Sequence, residues 1–340
     1  MRCYPRSLLP AMVTSANERS SGLTTASSTV MNKSAQIIAP GRPDGSLPAS
    51  AATEYTMPAH PNDAAKGTMK RVLVFEAHGD DMEFFAGGTI AKFADAGHEI
   101  SVVVATDNDK GSFELSPEQM RAVRDRELHD AAAVLGVARV IPLGYSDGDV
   151  AYDAPPRELR GQFMRLIREL KPDIMFTWDP FTHYEGHPDH RAVAIAANEA
   201  TSFSHFPNFY PEHRTEGLEP HYVSEHWYFA KSPRDQNKFV DIDATIDRKI
   251  AALHKHEAQM VLTVADMQYS LRASGLDVPW LASLDPHNYH DVIARQMQAA
   301  GRAVAQRSGL GCTYAEGFRR TRYGGVESLA KSQQIAEYIS

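Results

Sequence analysis

The sequence predicts an α/β protein with a Rossmann-like, mostly parallel sheet that carries helices on both faces. From residue 69 onward, apolar runs of strand length alternate with longer segments of helical periodicity, which is typical of strands joined by crossover helices. The apolar runs at 71–77 and 173–178 are almost continuous, as in strands that are buried on both faces. Such strands lie parallel in one sheet because each crossover helix carries the chain back before the next strand begins.

The first strand is predicted at 71–77, and the helical pattern that follows it stops at Gly97, a residue that suits the position after a helix end. Ser116 and Gln119 form a capping-box pattern around a proline, which predicts the start of the next helix. The further elements are that helix to Gly136, a strand at 139–143, a helix at 156–170 stopped by Pro172, a strand at 173–178, a helix from Pro188, strands at 225–230 and 238–242, and a helix at 245–259.

Residues 1–68 differ in composition from the rest of the chain. They are rich in Ser, Thr, Ala and Pro and lack periodic apolar runs, so we expect a disordered N-terminal extension before one folded domain at 69–340. A short apolar patch at 8–13 is interrupted by proline. We expect a cytoplasmic protein, while this leader leaves organellar targeting or a start at Met69 open.

Composition excludes some classes of binding partner. The formal charge of −8 without a basic run disfavours nucleic acid, and no apolar stretch has membrane-spanning length. The cysteines, Cys3 and Cys312, do not form a disulfide framework. The aromatic stretch at 203–222 is either a surface loop packed on itself or a wall over a ligand. The aromatic and histidine residues within 261–310 either line a cleft or pack in the interior. A homo-oligomer is possible.

Two short clusters of acids and histidines stand out. The first cluster, residues 78–81 (His-Gly-Asp-Asp), follows the first strand in a strand-to-helix loop. The second cluster, residues 187–190 (His-Pro-Asp-His), begins the helix after the strand at 173–178. In an open parallel sheet the loops at the carboxyl ends of the strands surround one crevice, so we expect the clusters to meet there.

Together the clusters favour a metal site. Three of their side chains can hold one zinc ion, with a carboxylate and a histidine left beside it, and this is the equipment of a metal-assisted hydrolase. Taken alone, His-x-x-His at a helix start is more often a cap or surface chemistry, and Asp-Asp after a strand is often an N-cap. A dinucleotide loop at Gly87 and Gly88 is disfavoured because Gly-x-Gly-x-x-Gly is absent and two acids would repel a pyrophosphate.

At these residues the chain resembles the PIG-L/LmbE family of zinc-dependent de-N-acetylases. The family's first motif is His-Pro-Asp-Asp, a glutamate close behind and then Gly-Gly-Thr, and residues 77–83 and 87–92 are Ala-His-Gly-Asp-Asp-Met-Glu and Gly-Gly-Thr-Ile-Ala-Lys. The second motif, His-Pro-Asp-His, is intact. Gly79 stands where the family usually has proline, and glycine should loosen the loop and permit an unusual φ. Landmarks also match at 106–112, 124–127, 147–148, 216–221 and 314–318, so that the resemblance spans residues 69–320.

The resemblance implies roles for the cluster residues. His78, Asp81 and His190 match the family's zinc ligands, a set that leaves one position open for water. Asp80 matches the general base that takes a proton from that water. His187 matches the histidine that stabilises the oxyanion or protonates the leaving amine.

Three further residues have less specific signals. Arg124 and Asp147 match positions that contact substrate in some members of the family, although an exposed helix charge and an Asp-Gly turn explain them equally. Asp189 is expected to orient a ligand histidine rather than to bind the metal.

We therefore expect a zinc-dependent hydrolase that acts on an N-acyl amide, with N-acetyl as the expected group, of a small-molecule amino sugar or glycoside. It would release a free amine and a carboxylate. The alternative enzyme is a metal-dependent phosphoesterase, which needs a second metal. The non-enzyme alternative is a zinc-dependent sugar-binding protein, and Asp80 and His187 argue against it because binding alone needs no general base.

Overall fold

Seven strands form one sheet in residues 69–322, the part of the chain that the computed structural model describes. They are β1 Arg71–Glu76, β2 Glu99–Thr106, β3 Arg139–Tyr145, β4 Ile174–Trp178, β5 Glu225–Phe229, β6 Lys238–Asp241 and β7 Ala315–Arg322. Their order across the sheet is β3-β2-β1-β4-β5-β7-β6. The expected extension at 1–68 lies outside the described residues, so this extension and the domain boundary at residue 69 stay predictions.

Helices cover both faces of the sheet. Across residues 69–322, every helix is too short or too polar to traverse a bilayer. The helices are α1 Asp81–Asp95, α2 Pro117–Leu135, α3 Val150–Asp153, α4 Pro156–Leu170, α5 Pro188–Phe203, α6 Glu212–Thr215, α7 Ile246–Leu253, α8 Glu257–Ser274, α9 Pro279–Ala282 and α10 His290–Ser308, with a 3₁₀ turn at Pro286–Asn288.

Strand β1 shows how the core is divided. Val72 and Val74 pack into the core that α1, α2 and α7 cover, whereas Leu73 and Phe75 pack into the core that α4 and α5 cover. Successive strand residues point to opposite faces, so a strand covered on both sides needs apolar residues at nearly every position. The predicted mostly parallel sheet with helices on both faces is confirmed.

The sheet reverses its direction of growth between β1 and β4. Strand β1 pairs in parallel with β2 on one side and with β4 on the other. The chain thus proceeds from β1 outward to β3, returns to β4 and continues to β5. A reversal of this kind opens a crevice at the carboxyl ends of the two central strands. The first cluster follows β1 directly and Trp178 ends β4, so both clusters are brought to this crevice.

The sheet has an antiparallel edge that the sequence pattern did not predict. Strand β7 runs antiparallel to β5 and to β6. Phe318 in β7 is fully buried, but Arg319 and Arg320 follow it and interrupt the apolar pattern. A strand near a sheet edge needs no continuous apolar run, which is why periodicity alone missed it.

The predicted helix at 245–259 is two helices, because the chain turns inward at His256. This residue has a non-helical backbone with ψ of 58°. Its ring is buried, and Arg124 donates to its Nδ1 at 3.0 Å. Glu127 accepts the N–H of Ala258 in the first turn of α8 at 2.9 Å. The break therefore gives hydrogen-bond partners both to a backbone N–H at the start of α8 and to the buried guanidinium of Arg124.

Gly87 and Gly88 lie inside α1, and their role is close packing. A Cβ atom at Gly88 would lie 2.8 Å from Ile242, and one at Gly87 would lie 3.2 Å from Lys249. The missing side chains let α1 approach α7 and the residues that lead into it. This placement agrees with the rejection of a dinucleotide loop.

The aromatic stretch at 203–222 packs on itself and on α4. The rings of Phe203 and Phe209 stack 4.6 Å apart, and Arg168 donates to the carbonyl oxygen of Ser204 at 3.1 Å. None of the described residues that line the cavity at the crevice comes from this stretch. Its position thus favours the packed surface loop over the wall.

Candidate metal centre and active site

The two clusters border one cavity of ≈ 380 Å³ at the carboxyl ends of β1 and β4. The predicted site residues Arg124 and Asp189 lie behind its lining. The lining residues are His78, Asp80, Asp81, Phe84, Phe85, Asn108, Gly111, Asp147, Trp178, His187, His190, Lys231, Gln259 and Leu262.

The first cluster is held by backbone donors. Oδ2 of Asp81 accepts the N–H groups of Ala77 and His78, each at 3.0 Å. The N–H of Gly79 donates to Asn108 Oδ1 at 3.1 Å, and Gly79 is not among the described glycines with positive φ. Gly79 thus does not use the positive φ that glycine permits, and its hydrogen bond to Asn108 argues against a loosened loop.

Three donor atoms of the clusters converge on one point. His78 Nδ1 lies 3.1 Å from His190 Nε2, which lies 3.3 Å from Asp81 Oδ1. Asp81 Oδ1 lies 3.8 Å from His78 Nδ1. Ligands on a tetrahedral ion with bonds of about 2.0–2.1 Å lie about 3.3 Å apart, so this triangle has the size that a metal ion requires.

His187 lies beside this triangle. The described residues contain two groups at the crevice whose donor atoms all lie within 4.8 Å of one another, and neither includes Asp81. Asp81 Oδ1 nevertheless lies 3.3 Å from His190 Nε2 and 3.8 Å from His78 Nδ1, so it borders the same point as the grouped histidines. The two groups are His78, His187 and His190, and His78, Asp147, His187 and Asp189.

The charges at the centre favour a cation. Burial alone would lower the pKa of His78, but hydrogen bonds to Asp147 and Asp189, together with Asp81, raise that pKa well above its usual value. Burial would likewise raise the pKa of Asp81, yet the His190 and His78 rings hold it well below its usual value. The surroundings thus stabilise positive charge in a buried place, and a divalent metal supplies such a charge.

Asp80 is held from behind by a buried ion network. Arg124 donates to Asp80 Oδ1 at 3.0 Å, to Glu127 Oε2 at 3.1 Å and to His256 at 3.0 Å. Burial raises the pKa of Asp80 although Arg124 opposes the shift. A raised pKa brings a carboxylate closer to the range that suits a general base.

Arg124 itself does not reach the cavity. It is 1% exposed, and its guanidinium faces the network just described. Its position favours a role through Asp80 over the substrate contact that the sequence predicts. Arg124 lies four residues after Met120 and four before Leu128, both buried, so its place on the buried stripe of α2 is the signal that could have shown that it points inward.

Asp147 and Asp189 support His78 through its other ring nitrogen. His78 Nε2 lies 3.1 Å from Asp147 Oδ1 and 3.4 Å from Asp189 Oδ2. Asp189 is fully buried and also accepts the N–H groups of Gly148 at 2.6 Å and Val150 at 3.1 Å. A carboxylate on the far nitrogen of a ligand histidine fixes its tautomer and orientation. Asp147 lines the cavity as well, so it can reach a substrate.

His187 is the exposed member of the site. Its side chain is 35% exposed, and its Nε2 lies 4.0 Å from Asp147 Oδ1. The His187 and His190 rings stack with centroids 4.6 Å apart. The side chain therefore lines the cavity beside the donor triangle without being enclosed by it.

His190 is fixed by residues that the sequence pattern did not single out. Its ring stacks on Trp178 with centroids 3.9 Å apart, and its Nδ1 lies 3.1 Å from Glu185 Oε1. The same oxygen accepts from the His187 N–H and from Lys231 Nζ, each at 3.0 Å. The available signals were an acid two residues before the second cluster and a tryptophan at the end of a predicted strand.

Comparison with known proteins agrees with this geometry. The family model described as GlcNAc-PI de-N-acetylase, PIG-L, matches residues 73–201, a span that contains both clusters. A diacetylchitobiose deacetylase from Thermococcus kodakarensis is 35% identical over 194 residues, which cover 56% of this chain and 70% of that protein. A 1D-myo-inositol 2-acetamido-2-deoxy-alpha-D-glucopyranoside deacetylase from Rhodococcus jostii is 25% identical over 306 residues, which cover 76% and 98%.

A solved structure shows the same likeness in three dimensions. The N,N′-diacetylchitobiose deacetylase from Pyrococcus horikoshii, in complex with its inhibitor MPG, superposes with a TM-score of 0.60 and 29% sequence identity. The match covers 74% of this chain and 84% of that chain. This likeness supports the fold prediction as well.

Proposed function

Because the chain belongs to the PIG-L family of de-N-acetylases, we propose that it uses zinc to hydrolyse the N-acetyl amide of an amino sugar or glycoside. Membership makes the protein a hydrolase of amide carbon–nitrogen bonds. The identity of the metal, the role of each side chain and the substrate class are our proposals. The names of both sequence relatives, a diacetylchitobiose deacetylase and an acetamido-sugar deacetylase, support the substrate class.

The donor triangle is the observation that carries the proposal. Two imidazole nitrogens and one carboxylate oxygen with an open position form the ligand set of a catalytic zinc. We assign His78, Asp81 and His190 as the ligands, because Asp81 Oδ1 faces the other two donors while its Oδ2 is taken up by N–H groups. Fe²⁺ also binds two histidines and a carboxylate, so elemental analysis of protein purified without added metal identifies the ion.

The reaction is an ordinary amide hydrolysis. When bound, zinc would polarise the acyl carbonyl and lower the pKa of a water molecule. Asp80 takes a proton from the water while the oxygen of that water attacks the carbonyl carbon. The carbon–nitrogen bond of the tetrahedral intermediate then breaks, the nitrogen receives a proton, and the products are a free amine and acetate.

The remaining residues act around these atoms. His187, which lines the cavity beside the ligands, stabilises the oxyanion or delivers the proton to the amine. Arg124 positions Asp80, and Asp189 orients His78 through its far nitrogen. Asp147 shares that orienting role. Because it also lines the cavity, its position supports the predicted contact with substrate.

The cavity suits a small sugar derivative. Its volume of ≈ 380 Å³ lies at the lower end of the range for ligand pockets, about 300–1,000 Å³. Phe84, Phe85 and Leu262 give it apolar walls, while Asn108 and Gln259 offer amide groups. Apolar walls with a few polar groups match a sugar ring, which has apolar faces and a polar rim.

An amine-release screen tests the proposal. Zinc-loaded protein is incubated with N-acetylglucosamine, diacetylchitobiose and N-acetylglucosaminyl glycosides, and the free amine is quantified, with Asp80→Asn protein as the matched control. We expect release by the wild type and a strong loss in the control. Phosphate release from phosphoesters would instead support a phosphoesterase, and sugar binding without turnover would support a sugar-binding protein. The comparisons support neither alternative.

A further inference from the structure

Trp178 contacts two of the three proposed ligands at once. Its indole Nε1–H donates to Asp81 Oδ2 at 2.7 Å. Its ring lies flat against the imidazole of His190, with centroids 3.9 Å apart and an angle of 15° between the planes. The side chain is 1% exposed and occupies the last position of β4. One side chain therefore joins a ligand of the first cluster to a ligand of the second.

The hydrogen bond decides how Asp81 presents its oxygens. Oδ2 accepts from three N–H groups, those of Ala77, His78 and Trp178. Carboxylate oxygens with three donors have little capacity left, so Oδ1 is the oxygen available to a metal. Two of the donors belong to the same loop as Asp81, and only the indole comes from the other half of the sheet. Loss of the indole N–H would leave the carboxylate freer to rotate.

The stacking decides the orientation of His190. An imidazole ring that lies against a fixed plane cannot rotate about its Cβ–Cγ bond without losing that contact. The indole plane is itself fixed, since Phe85 and Phe229 pack edge-on against it with centroids 4.8 Å and 5.1 Å away. His190 Nε2 is thereby directed at Asp81 and His78.

We propose that Trp178 is a positioning residue that holds Asp81 and His190 in coordinating geometry before the metal binds. The inference rests on the ligand set of the proposed function. A ligand set that is already ordered loses less conformational freedom when the ion arrives, so metal affinity depends on a side chain that does not touch the metal.

Variants of two tryptophans separate this role from simple packing. Trp178→Phe keeps a ring for the stacking and removes the N–H, while Trp178→Leu removes both. Trp227→Phe is the matched control, because Trp227 is 4% exposed on the neighbouring strand and its Nε1–H donates to Glu225 Oε2 at 3.2 Å, away from the cavity. Each protein is titrated with zinc against a chromophoric chelator, and its melting temperature is recorded.

We expect Trp178→Phe to bind zinc about 10–100-fold more weakly than the wild type, as for other residues that orient ligands. Trp178→Leu should bind more weakly still, and Trp227→Phe should keep wild-type affinity even where its melting temperature falls. Equal affinity in Trp178→Phe and wild type overturns the inference, and so does an equal loss in Trp227→Phe. Failure of the proposed ligand set is distinct, because His190→Ala would then bind zinc as the wild type does.

A second measurement needs no variant at position 178. In metal-free wild-type protein, the Trp178 indole N–H should exchange slowly with solvent deuterium, since it is buried and already bonded to Asp81. The chain has 3 tryptophans, so its NMR signal is assigned from Trp227→Phe and Trp280→Phe spectra. Rapid exchange in the metal-free protein would show that the contact is absent before metal binding and would overturn the inference.

Discussion

The two clusters are held in different ways. The first is fixed by its own backbone and by a buried network, with Asp81 bonded to two N–H groups of its loop and Asp80 bonded to Arg124. The second is fixed by neighbouring segments, with His190 between Trp178 and Glu185 and with Asp189 bonded to the backbone N–H groups of Gly148 and Val150. His187 is 35% exposed in its side chain, and the loop before it exposes Phe181 and Tyr184.

The difference suggests a division of labour. The first cluster carries the proposed base and two of the proposed ligands. The base must keep a fixed distance from the reacting water for proton transfer, and this cluster is buried and held by hydrogen bonds. The second cluster carries the third proposed ligand and the histidine proposed to meet the substrate, and it borders an exposed loop. Substitutions in or behind the two clusters should therefore have different effects. Some should change the metal content or the turnover, and others only the free energy of unfolding.

The largest effect is expected from removal of a ligand on either side. His78→Ala and His190→Ala should each lose bound zinc, because two donors hold the ion far more weakly than three. His226→Ala is the control, since His226 is a buried histidine on β5 outside the cavity. Metal analysis after gel filtration measures this. Full zinc occupancy in both ligand variants would contradict the assignment.

The next effect separates chemistry from metal binding. Asp80→Asn, in the first cluster, and His187→Ala, in the second, should both retain zinc. Turnover by Asp80→Asn should fall roughly 10²–10⁴-fold, as expected when a general base is lost. The loss in His187→Ala should appear mainly in kcat, as for a contact made in the transition state. Near-normal turnover of zinc-loaded Asp80→Asn would remove the base from the mechanism.

Acid should loosen the support behind the first cluster. Burial lowers the pKa of His256 to about 3, from 6.5 when unfolded, so the unfolded chain takes up the proton first and stability falls as the pH drops below 6.5. Between pH 7.5 and pH 5 the loss is about 2 kcal/mol. Urea unfolding at both values measures it. His256→Gln, which keeps an acceptor for Arg124, should lose less, and an equal loss would mean that other groups cause it.

A smaller effect is expected from the side-chain support of the second cluster. Glu185→Gln weakens the attraction between Glu185 and His190 while it keeps the shape, and zinc affinity should fall about tenfold. Glu199→Gln is a matched control, because Glu199 accepts from Arg160 on α4 away from the cavity. Chelator competition decides the comparison. Unchanged affinity in Glu185→Gln would mean that stacking alone orients His190.

The smallest effect concerns Gly79. Gly79→Pro restores the family's usual residue but removes the N–H that donates to Asn108, and we expect a loss of about 1 kcal/mol in the free energy of unfolding. Gly79→Ala keeps the N–H, and its Cβ would lie 3.0 Å from Cδ1 and 3.5 Å from Cβ of the buried Leu128, a contact that the proline variant shares. Denaturant unfolding compares the two. A proline variant as stable as the alanine variant would show that the hydrogen bond contributes little.

Local patterns predicted much of the fold. The run at 71–77 and the capping box at Ser116 depend on neighbours in sequence, and both appear as predicted, with the box closed by hydrogen bonds in both directions. Strand β7 and the break at His256 depend on partners far along the chain, so periodicity gave no sign of them. Secondary structure was thus predictable where it is locally determined.

The same distinction applies to the site. The residues of the clusters stand in compact motifs, and the sequence identified them together. Trp178 and Glu185 lack a motif, because their importance comes from what they face after folding. Arg124 was identified but expected at the substrate, because its role was inferred from its motif position and not from its place between Met120 and Leu128 on the buried face of α2.

The position of the site at the sheet reversal also affects folding. His78 and His190 are 112 residues apart in sequence, yet their ring nitrogens lie 3.1 Å apart. The donor triangle exists only after β1 has joined β4, and bringing such distant segments together carries an entropic cost of loop closure. A metal ion bound there would join the two halves of the sheet and would raise the free energy of unfolding by mass action. Resistance of this enzyme to heat and proteolysis should therefore follow the metal supply of its surroundings.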